Sequence, residues 1–515
     1  MKILLLNPRC PQTYWTFDRV LRMTGRKATE APLSLITVAA ILPQTWDYTL
    51  VDLAIRTVSA EEWAAADVVM ISGMAVQSTG MLTAVAEAKT RGKLVVVGGP
   101  LAFHAPEEFL RAGADIVVKG ELEPVAADLV AAIERRDSGV VLQTVGRADM
   151  CTSPVPRFDL LQFDDYLDVG VQFSRGCPFR CEFCDVTTMF GHDFRTKPPA
   201  HILEELQVLY DMGWRRHVFF VDDNLIGLPG RAKDLLRALI PWMEQRGYPF
   251  DFTTQVSVNL ARDEELLDLM VRAGFTRVFV GIESTDIESL KMSGKHQNVM
   301  IDLDHACDVI TRAGLQIIAG CIVGFDHEKA GADDRLIDFA IRNQIPEMFV
   351  TQLQVGPGTD LWKRLEKEGR LLPMAFSDDI GSQTGAVNFV PTRPPEEIAR
   401  EFVRIYDVLY EPRAFIERTY HHFAKMRPRP IKKGFFMPTV GEVRAVAIAG
   451  FRQLVLSPCR WTFLKMFVKA VVTFPGRLPY YLTSCVTAEH YFEYRRTIRR
   501  QQNAVVGRHG EAAPD

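Results

Sequence analysis

The stretch 169-VGVQFSRGCPFRCEFC-184 joins an apolar, β-branched run to a loop holding cysteines at 177, 181 and 184. The first half has the composition of a buried strand, and the Gly, Pro and Arg that follow end it. Such a strand delivers three thiols within eight residues to a single loop. Soft thiolates suit zinc and iron–sulfur centres alike. A tetrahedral zinc site needs a fourth protein ligand, and the nearest candidates, Cys151 and His192, lack finger spacing. A cubane cluster has four irons, so three cysteines leave one iron open to an outside ligand. The spacing leaves both readings standing.

Five further apolar runs follow at intervals of roughly 30 residues: HVFFVDDN (217–224), DFTTQVSV (251–258), RVFVGIES (277–284), QIIAGCIVG (316–324) and EMFVTQLQV (347–355). Helical patterns separate them, which predicts six βα units in a barrel or partial barrel over 169–385. Chemistry in such folds sits at the carboxyl ends of the strands, where the cysteine loop falls. Ahead of this array, KILLLN (2–7), YTLVDL (48–53), VVMISGM (68–74), KLVVVGG (93–99) and IVVKG (116–120) alternate with helical patterns. Continuous apolar strands imply a parallel sheet covered on both faces, and five of them fit a doubly wound, flavodoxin-like (Rossmann-like) unit over 1–140. The stretch 141–168, with Pro154 and Pro156, reads as a linker, and 386–515 as a helical appendix ending in a disordered tip, GRHGEAAPD.

A chain of 515 residues with 47% hydrophobic and 24% charged side chains is a multidomain α/β globular protein. Nine cysteines, of which three cluster, argue for a reducing cytosol rather than a disulfide scaffold. The opening MKILLL is short and ends in Asn7-Pro8, so it reads as a first strand rather than a signal peptide. No apolar stretch reaches the roughly 18 residues of a membrane-spanning helix. Net charge is −4, but residues 411–515 hold 18 Lys/Arg against 7 Asp/Glu. Nucleic-acid binding is not expected, because this basic region carries no recognisable RNA module.

With the aromatic Phe183 before the last cysteine, Cys177-x3-Cys181-x2-Cys184 resembles the signature of radical S-adenosylmethionine (AdoMet) enzymes. The resemblance implies that the three cysteines hold a 4Fe-4S cluster whose fourth iron is chelated by AdoMet. Reductive cleavage of AdoMet then yields a 5′-deoxyadenosyl radical. It further implies AdoMet contacts from Phe183, from Asp222, Asp223 and Asn224 after the second strand, from Glu283 after the fourth, and from Ile322 and Gly324 at the fifth. Read as residues alone, the carboxylates are equally strand-end helix caps and Gly324 a simple turn. Arg175 and Arg195 flank the loop, either balancing cluster charge or lying solvated at the surface.

The first unit adds small and polar groups directly after its strands: Ser72, Gly73 and Met74; Gly98, Gly99 and Pro100; Gly120 and Glu121. Together with the barrel they resemble the cobalamin-binding subclass of radical AdoMet enzymes, which implies that these residues cradle methylcobalamin. The Asp-x-His-x-x-Gly motif that ligates cobalt in many cobalamin domains is absent, and the unit's only histidine is His104. The run CEFCDVTTMFGHDFRTKPPAHILEEL, then HVFFVDDN, then LQVGPGT (353–359) with Trp362, is similar to the subgroup of hopanoid C-methylases and bacteriochlorophyll side-chain methylases. The implied activity is cobalamin-dependent C-methylation of an unactivated carbon of a hydrophobic small molecule, a hopanoid, isoprenoid or tetrapyrrole. Flavodoxin or ferredoxin would supply the electron. A radical AdoMet enzyme of another reaction type, such as rearrangement, ring contraction or sulfur insertion, is the first alternative. A zinc-stabilised nucleic-acid-binding protein is the second.

In the appendix, Phe463, Phe467, Val471, Val472 and Phe474 lie beside Arg460, Lys465 and Lys469. That pattern suits either a basic amphipathic helix on an anionic membrane surface or a helical cap on the barrel with a solvated basic face. The expected location is the cytoplasm, with peripheral contact at the inner face of the membrane under the first reading.

Overall fold

The computed structural model describes residues 1–372, 385, 387–431 and 438–511. Parts of the expected segments RPRPIKKG (427–434) and GRHGEAAPD (507–515), and the boundary residue 386, lie outside the described residues. The first third of the chain contributes β1 (Lys2–Asn7), β2 (Ala28–Glu30), β3 (Asp47–Asp52), β4 (Val68–Ser72), β5 (Leu94–Gly98), β6 (Ile116–Lys119) and β7 (Val140–Gln143). All but β2 pair in parallel in the order β3-β1-β4-β5-β6-β7. This is the doubly wound, flavodoxin-like order, with its crevice where the order reverses between β1 and β4. The continuous apolar runs are explained by burial on both faces. Leu4, Leu6, Val69, Ile71, Val95 and Val97 pack to one side. Ile3, Leu5, Val68, Met70, Leu94 and Val96 pack to the other.

The second sheet is built from β8 (Tyr166–Val171), β11 (His217–Phe220), β12 (Asp251–Val256), β13 (Phe275–Glu283), β14 (Gln316–Val323) and β15 (Glu347–Gln352), with a short hairpin of β9 (Ser174–Arg175) and β10 (Arg195–Thr196) beside it. These six strands run parallel in chain order, as six βα units predict. They do not close. The far edge of β8 is taken by β2, a strand from within the first unit, giving the order β2-β8-β11-β12-β13-β14-β15. With three residues, β2 is too short to carry a periodic signal. Two more strands were not expected: the two-residue β10, and β7, which falls at the start of the stretch read as a linker and extends the first sheet.

The open edge at β15 is sealed by the appendix. The Tyr406 hydroxyl accepts from Val350 N–H at 3.2 Å and donates to Val350 C=O at 2.9 Å. Tyr410 does the same for Met348, at 2.9 and 2.8 Å. Two phenols on one helix (Pro395–Leu409 and its C-cap) thus replace a missing strand neighbour on a bare sheet edge. A hydroxyl has one proton, so Tyr14, 2.8 Å from the Tyr410 oxygen, must donate to it. Tyr14 belongs to the segment leading into β2, and its ring stacks on Tyr491 of the last helix.

Candidate active site at the strand ends

The loop after β8 carries the three cysteines, each partly accessible. Its shape is set by contacts with the segment after β13. Glu182 N–H donates to Ser293 C=O at 2.9 Å. Gly294 adopts φ +72°, and a Cβ there would lie 2.6 Å from the Arg180 carbonyl oxygen, so no other residue fits. Gln297 Nε2 donates to Cys181 Sγ at 3.7 Å. On the far side, the Arg364 guanidinium grips both Glu182 carboxylate oxygens at 2.9 and 3.1 Å and reaches Asp326 at 2.8 Å.

Burial pushes all three thiols up, and their mutual charge adds to the rise at Cys177 and Cys184. The Lys295 ammonium opposes this at Cys177 and Cys181. Among the described residues no group of three or more His, Cys, Asp or Glu side chains is drawn together as ligands of a single metal ion. Cys151, the nearest fourth thiol, is exposed and its thiol is pushed up by hydrogen bonding to Asp149. His192 is exposed as well. The loop itself offers three free, partly accessible thiols, and a donor set of three fits a cubane with one iron left open.

The expected AdoMet residues divide into two groups. Phe183 and Ile322 come together in one apolar cluster with Phe325, Leu353 and Trp362, and the Phe183 and Phe325 rings meet edge to face at 5.7 Å. Asp223 lies near Cys177 and Cys184, and burial followed by the charges of Asp222 and Asp185 pushes its carboxyl up to about 7. Glu283 ends β13 at φ +62°, beside a register shift, and its carboxylate accepts from Lys295 Nζ at 2.7 Å. Asp222 and Asn224 instead brace the strand ends. Asp222 accepts from the N–H groups of Phe173 and Ser174 and from the Ser174 hydroxyl. Asn224 accepts from Ser257 N–H at 3.1 Å. Gly324, at φ +92°, donates its N–H to the buried Glu328 at 2.7 Å.

Lys295 is a charged residue at this site that sequence reasoning did not single out. It is buried between Glu283 and the cysteines; burial acts to lower its pKa, but Glu283 and the thiols of Cys181 and Cys184 outweigh that and raise it. Its only signal in the sequence was a lysine after Gly294, twelve positions beyond Glu283.

The first unit faces this loop. Ser72, Gly73, Met74, Gly98, Gly99, Pro100 and Gly120 all lie at the carboxyl ends of β4, β5 and β6. Gly99, at φ +90°, presses on Ser72 and Gly73, where a Cβ would stand 2.6 Å from Ser72 Oγ. Met74 projects from the crevice with 55% of its surface exposed. From the same unit, at the end of the helix after β5, His104 reaches the cysteine loop: its Nε2 is buried, makes no hydrogen bond among the described residues, and stands 3.5 Å from Asp185, the residue after Cys184. Glycine-lined strand ends that leave the backbone open, bordered by a buried imidazole nitrogen with no hydrogen bond, fit a bulky cofactor held on this side of the unit. Glu121 is differently placed. Its buried carboxylate accepts from Arg175 and Arg195, both at 2.9 Å, and from Ala148 N–H at 3.1 Å. The two arginines are thus neither solvated nor turned to the cluster; with Glu123 they form the joint between the units.

A flavodoxin-like unit ahead of an open βα barrel that starts on a three-cysteine loop is the architecture of a cobalamin-binding radical AdoMet enzyme. The comparisons agree. Residues 22–143 match the B12 binding domain, 171–340 the radical SAM superfamily, and 359–504 a domain of unknown function. The chain is 44% identical over 97% of its length to an uncharacterised methyltransferase, sll1242, of Synechocystis sp., covering 93% of that protein. It is 33% identical over 81% of its length to the hopanoid C-2 methylase of Rhodopseudomonas palustris, covering 78% of it. Its fold is similar to that of the radical AdoMet methyltransferase TsrM from Kitasatospora setae, solved with cobalamin and a [4Fe-4S] cluster. The TM-score is 0.61 at 13% identity, over 95% of this chain and 99% of that one. The chain belongs to the cobalamin-dependent radical AdoMet C-methyltransferase family. It is an enzyme whose cofactors are a 4Fe-4S cluster, AdoMet and cobalamin.

Proposed function

We propose that this enzyme methylates an unactivated carbon of a hydrophobic, polycyclic small molecule, an isoprenoid of the hopanoid type or a tetrapyrrole. The relative named a hopanoid C-2 methylase supports the substrate class. The observation that carries the reading is the confrontation of the glycine-lined crevice with the cysteine loop, across His104 and Asp185. When bound, the cluster supplies the electron that cleaves AdoMet to a hydrogen-abstracting radical, and cobalamin supplies the methyl group.

The residues of this chain then have the following roles. Cys177, Cys181 and Cys184 hold the cluster. Lys295, a buried cation that donates to Glu283 at 2.7 Å, would pair with the AdoMet carboxylate, and Glu283 would accept from the ribose hydroxyls. Asp223 faces the AdoMet amino group, and Phe183 and Ile322 flank the adenine through their shared apolar cluster. Ser72, Gly73, Met74, Gly98, Gly99, Pro100 and Gly120 line the cobalamin crevice. Asp222, Asn224, Glu121 and Gly324 act through the backbone and the domain joint, and are positioning residues. Flavodoxin or ferredoxin delivers the electron. The division into 1–140 for cobalamin, 169–385 for the barrel and 386–515 for the appendix shifts at its first two boundaries, since β7 carries the first sheet to Gln143 and β8 opens the barrel sheet at Tyr166, with β2 reaching across. A substrate of this kind partitions into the bilayer, so the reading places the enzyme in the cytoplasm with peripheral contact at the membrane.

Anaerobic reconstitution tests it. The expected result is about four irons per chain, AdoMet-dependent release of 5′-deoxyadenosine, retention of cobalamin, and a product heavier than its substrate by one CH2. Products that lack the added CH2 overturn the reading in favour of rearrangement, ring contraction or sulfur insertion.

A further inference from the structure

The helix Arg460–Thr473 is apolar on two sides. Its inner face buries Phe463, Met466 and Ala470 against Phe423, Phe474 and Tyr481. Its outer face leaves Trp461 71%, Val468 54% and Val472 78% exposed. The neighbouring helix, Val440–Phe451, buries Ala445 and Ala449 against Val20, Met23 and Val486, and turns Val440 and Phe451 outward, 86% and 56% exposed. The turn Arg452–Leu456 joins the two helices and leaves Val455 52% and Leu456 61% exposed, so exposed apolar side chains run along the chain from one helix to the next. A helix with apolar side chains on two opposite faces calls for a cover on both, and exposed apolar side chains grouped in this way mark an interaction site.

The charges on the same surface say what covers it. From Val443 to Ala488 there is no Asp or Glu, while the stretch carries six Lys and Arg residues. Arg444, Arg452 and Arg477 are held by Met23 C=O, Glu489 and Met426 C=O. Arg460 and Lys465 instead stand exposed among the outward apolar residues, Lys469 is exposed with its Nζ 5.9 Å from the Tyr420 ring, and none of the three makes an ion pair among the described residues. A second copy seated on this face would bring like charges together about the two-fold axis. An anionic bilayer satisfies both features. Its headgroups attract the cations, each contributing about 1 kcal/mol, and its acyl boundary takes the valines while Trp461 sits at the interface. Among the described residues no helix is long and apolar enough to cross a membrane, so the contact lies in the surface plane.

We propose that the outer face of residues 440–472 docks on an anionic phospholipid bilayer. The geometry carries this independently of the methyl-transfer reading. That the bilayer then serves as the source of substrate rests on that reading.

Flotation of the reconstituted holoenzyme with phosphatidylglycerol-rich vesicles, against phosphatidylcholine vesicles, tests the docking. The expected result is binding to the anionic vesicles, weakened by salt and reduced about tenfold or more in Lys465→Glu/Lys469→Glu and in Trp461→Glu/Val468→Glu. These positions lie outside the active site, so both variants keep wild-type release of 5′-deoxyadenosine, which also certifies their fold. Absence of vesicle binding by the wild type, or equal binding by the variants, overturns the proposal. So does conversion of a wild-type dimer to monomer by Trp461→Glu/Val468→Glu, which would assign the face to a second copy. Loss of methylated product without loss of vesicle binding would instead count against the methyl-transfer reading alone.

Discussion

Glu283 and Lys295 are 11–13% exposed and 2.7 Å apart, so each charge depends on the other for solvation. Replacing one member of such a pair leaves the remaining charge buried without its partner, at a cost of about 3 kcal/mol. Glu283→Gln is therefore expected to lose about that much stability in urea unfolding of the apo-protein, and to weaken AdoMet binding measured by equilibrium dialysis. Glu328 offers a pH test. Burial, opposed by the Gly324 N–H and Arg393, pushes its carboxyl up to about 7 from an ordinary value of 4.5. A carboxyl raised on folding favours the folded state while protonated. Its contribution is complete below about pH 4.5 and is lost as pH rises through about 7. Glu328→Gln should keep an acceptor for Gly324 and remove that dependence. The wild type should then lose stability relative to the variant between pH 5 and 7, by up to about 1.4 kcal/mol per pH unit. Unfolding midpoints at the two pH values check this; parallel shifts in both proteins would refute it.

At the scale of elements, the barrel sheet is parallel and open, which leaves a row of unpaired backbone groups along β15. The phenols of Tyr406 and Tyr410 satisfy four of them. Tyr406→Phe removes one hydroxyl and strands the buried N–H and C=O of Val350. The expected loss is about 1–3 kcal/mol, read as a lower urea midpoint with unchanged iron content. An equal midpoint would mean that water replaces the hydroxyl. The six strands of this sheet were legible because each carries a short apolar or β-branched run and a helical period separates it from the next. The edge strand β2 was not. Its three residues, Ala28–Glu30, gain their conformation from pairing with Tyr166 and Asp168, more than 130 positions away. The strand β7 was missed for a related reason: Val140–Gln143 is only partly buried and lies among turn-forming residues.

For the molecule as a whole, the joint between the cobalamin unit and the barrel is electrostatic. Glu121 and Glu123 hold Arg175 and Arg195, all of them less than one-fifth exposed, and the pair Arg175/Arg195 is itself the β9–β10 hairpin at the mouth of the cysteine loop. Glu121→Ala leaves Arg195 without its carboxylate. The expected outcome is a loss of about 3 kcal/mol and release of cobalamin on gel filtration, while the iron content of the barrel stays at the wild-type level. Loss of iron together with cobalamin would instead place Glu121 in support of the cluster.

The sequence by itself determined the reaction class and the order of the units, and it placed three thiols on one loop. All three are local: thiol spacing within one loop, apolar runs within single strands, and glycines immediately after them. Only the tertiary structure decided which charged side chains share the site. Asp222 and Asn224 match the sequence signal as well as Asp223 does, yet they brace strand ends. Glu121 turns away from the crevice to join two units, and Lys295 arrives from a segment with no distinguishing pattern. Those assignments follow from where distant strands and loops meet, and in a low-dielectric interior each buried charge goes to whichever opposite charge or donor that packing brings within reach.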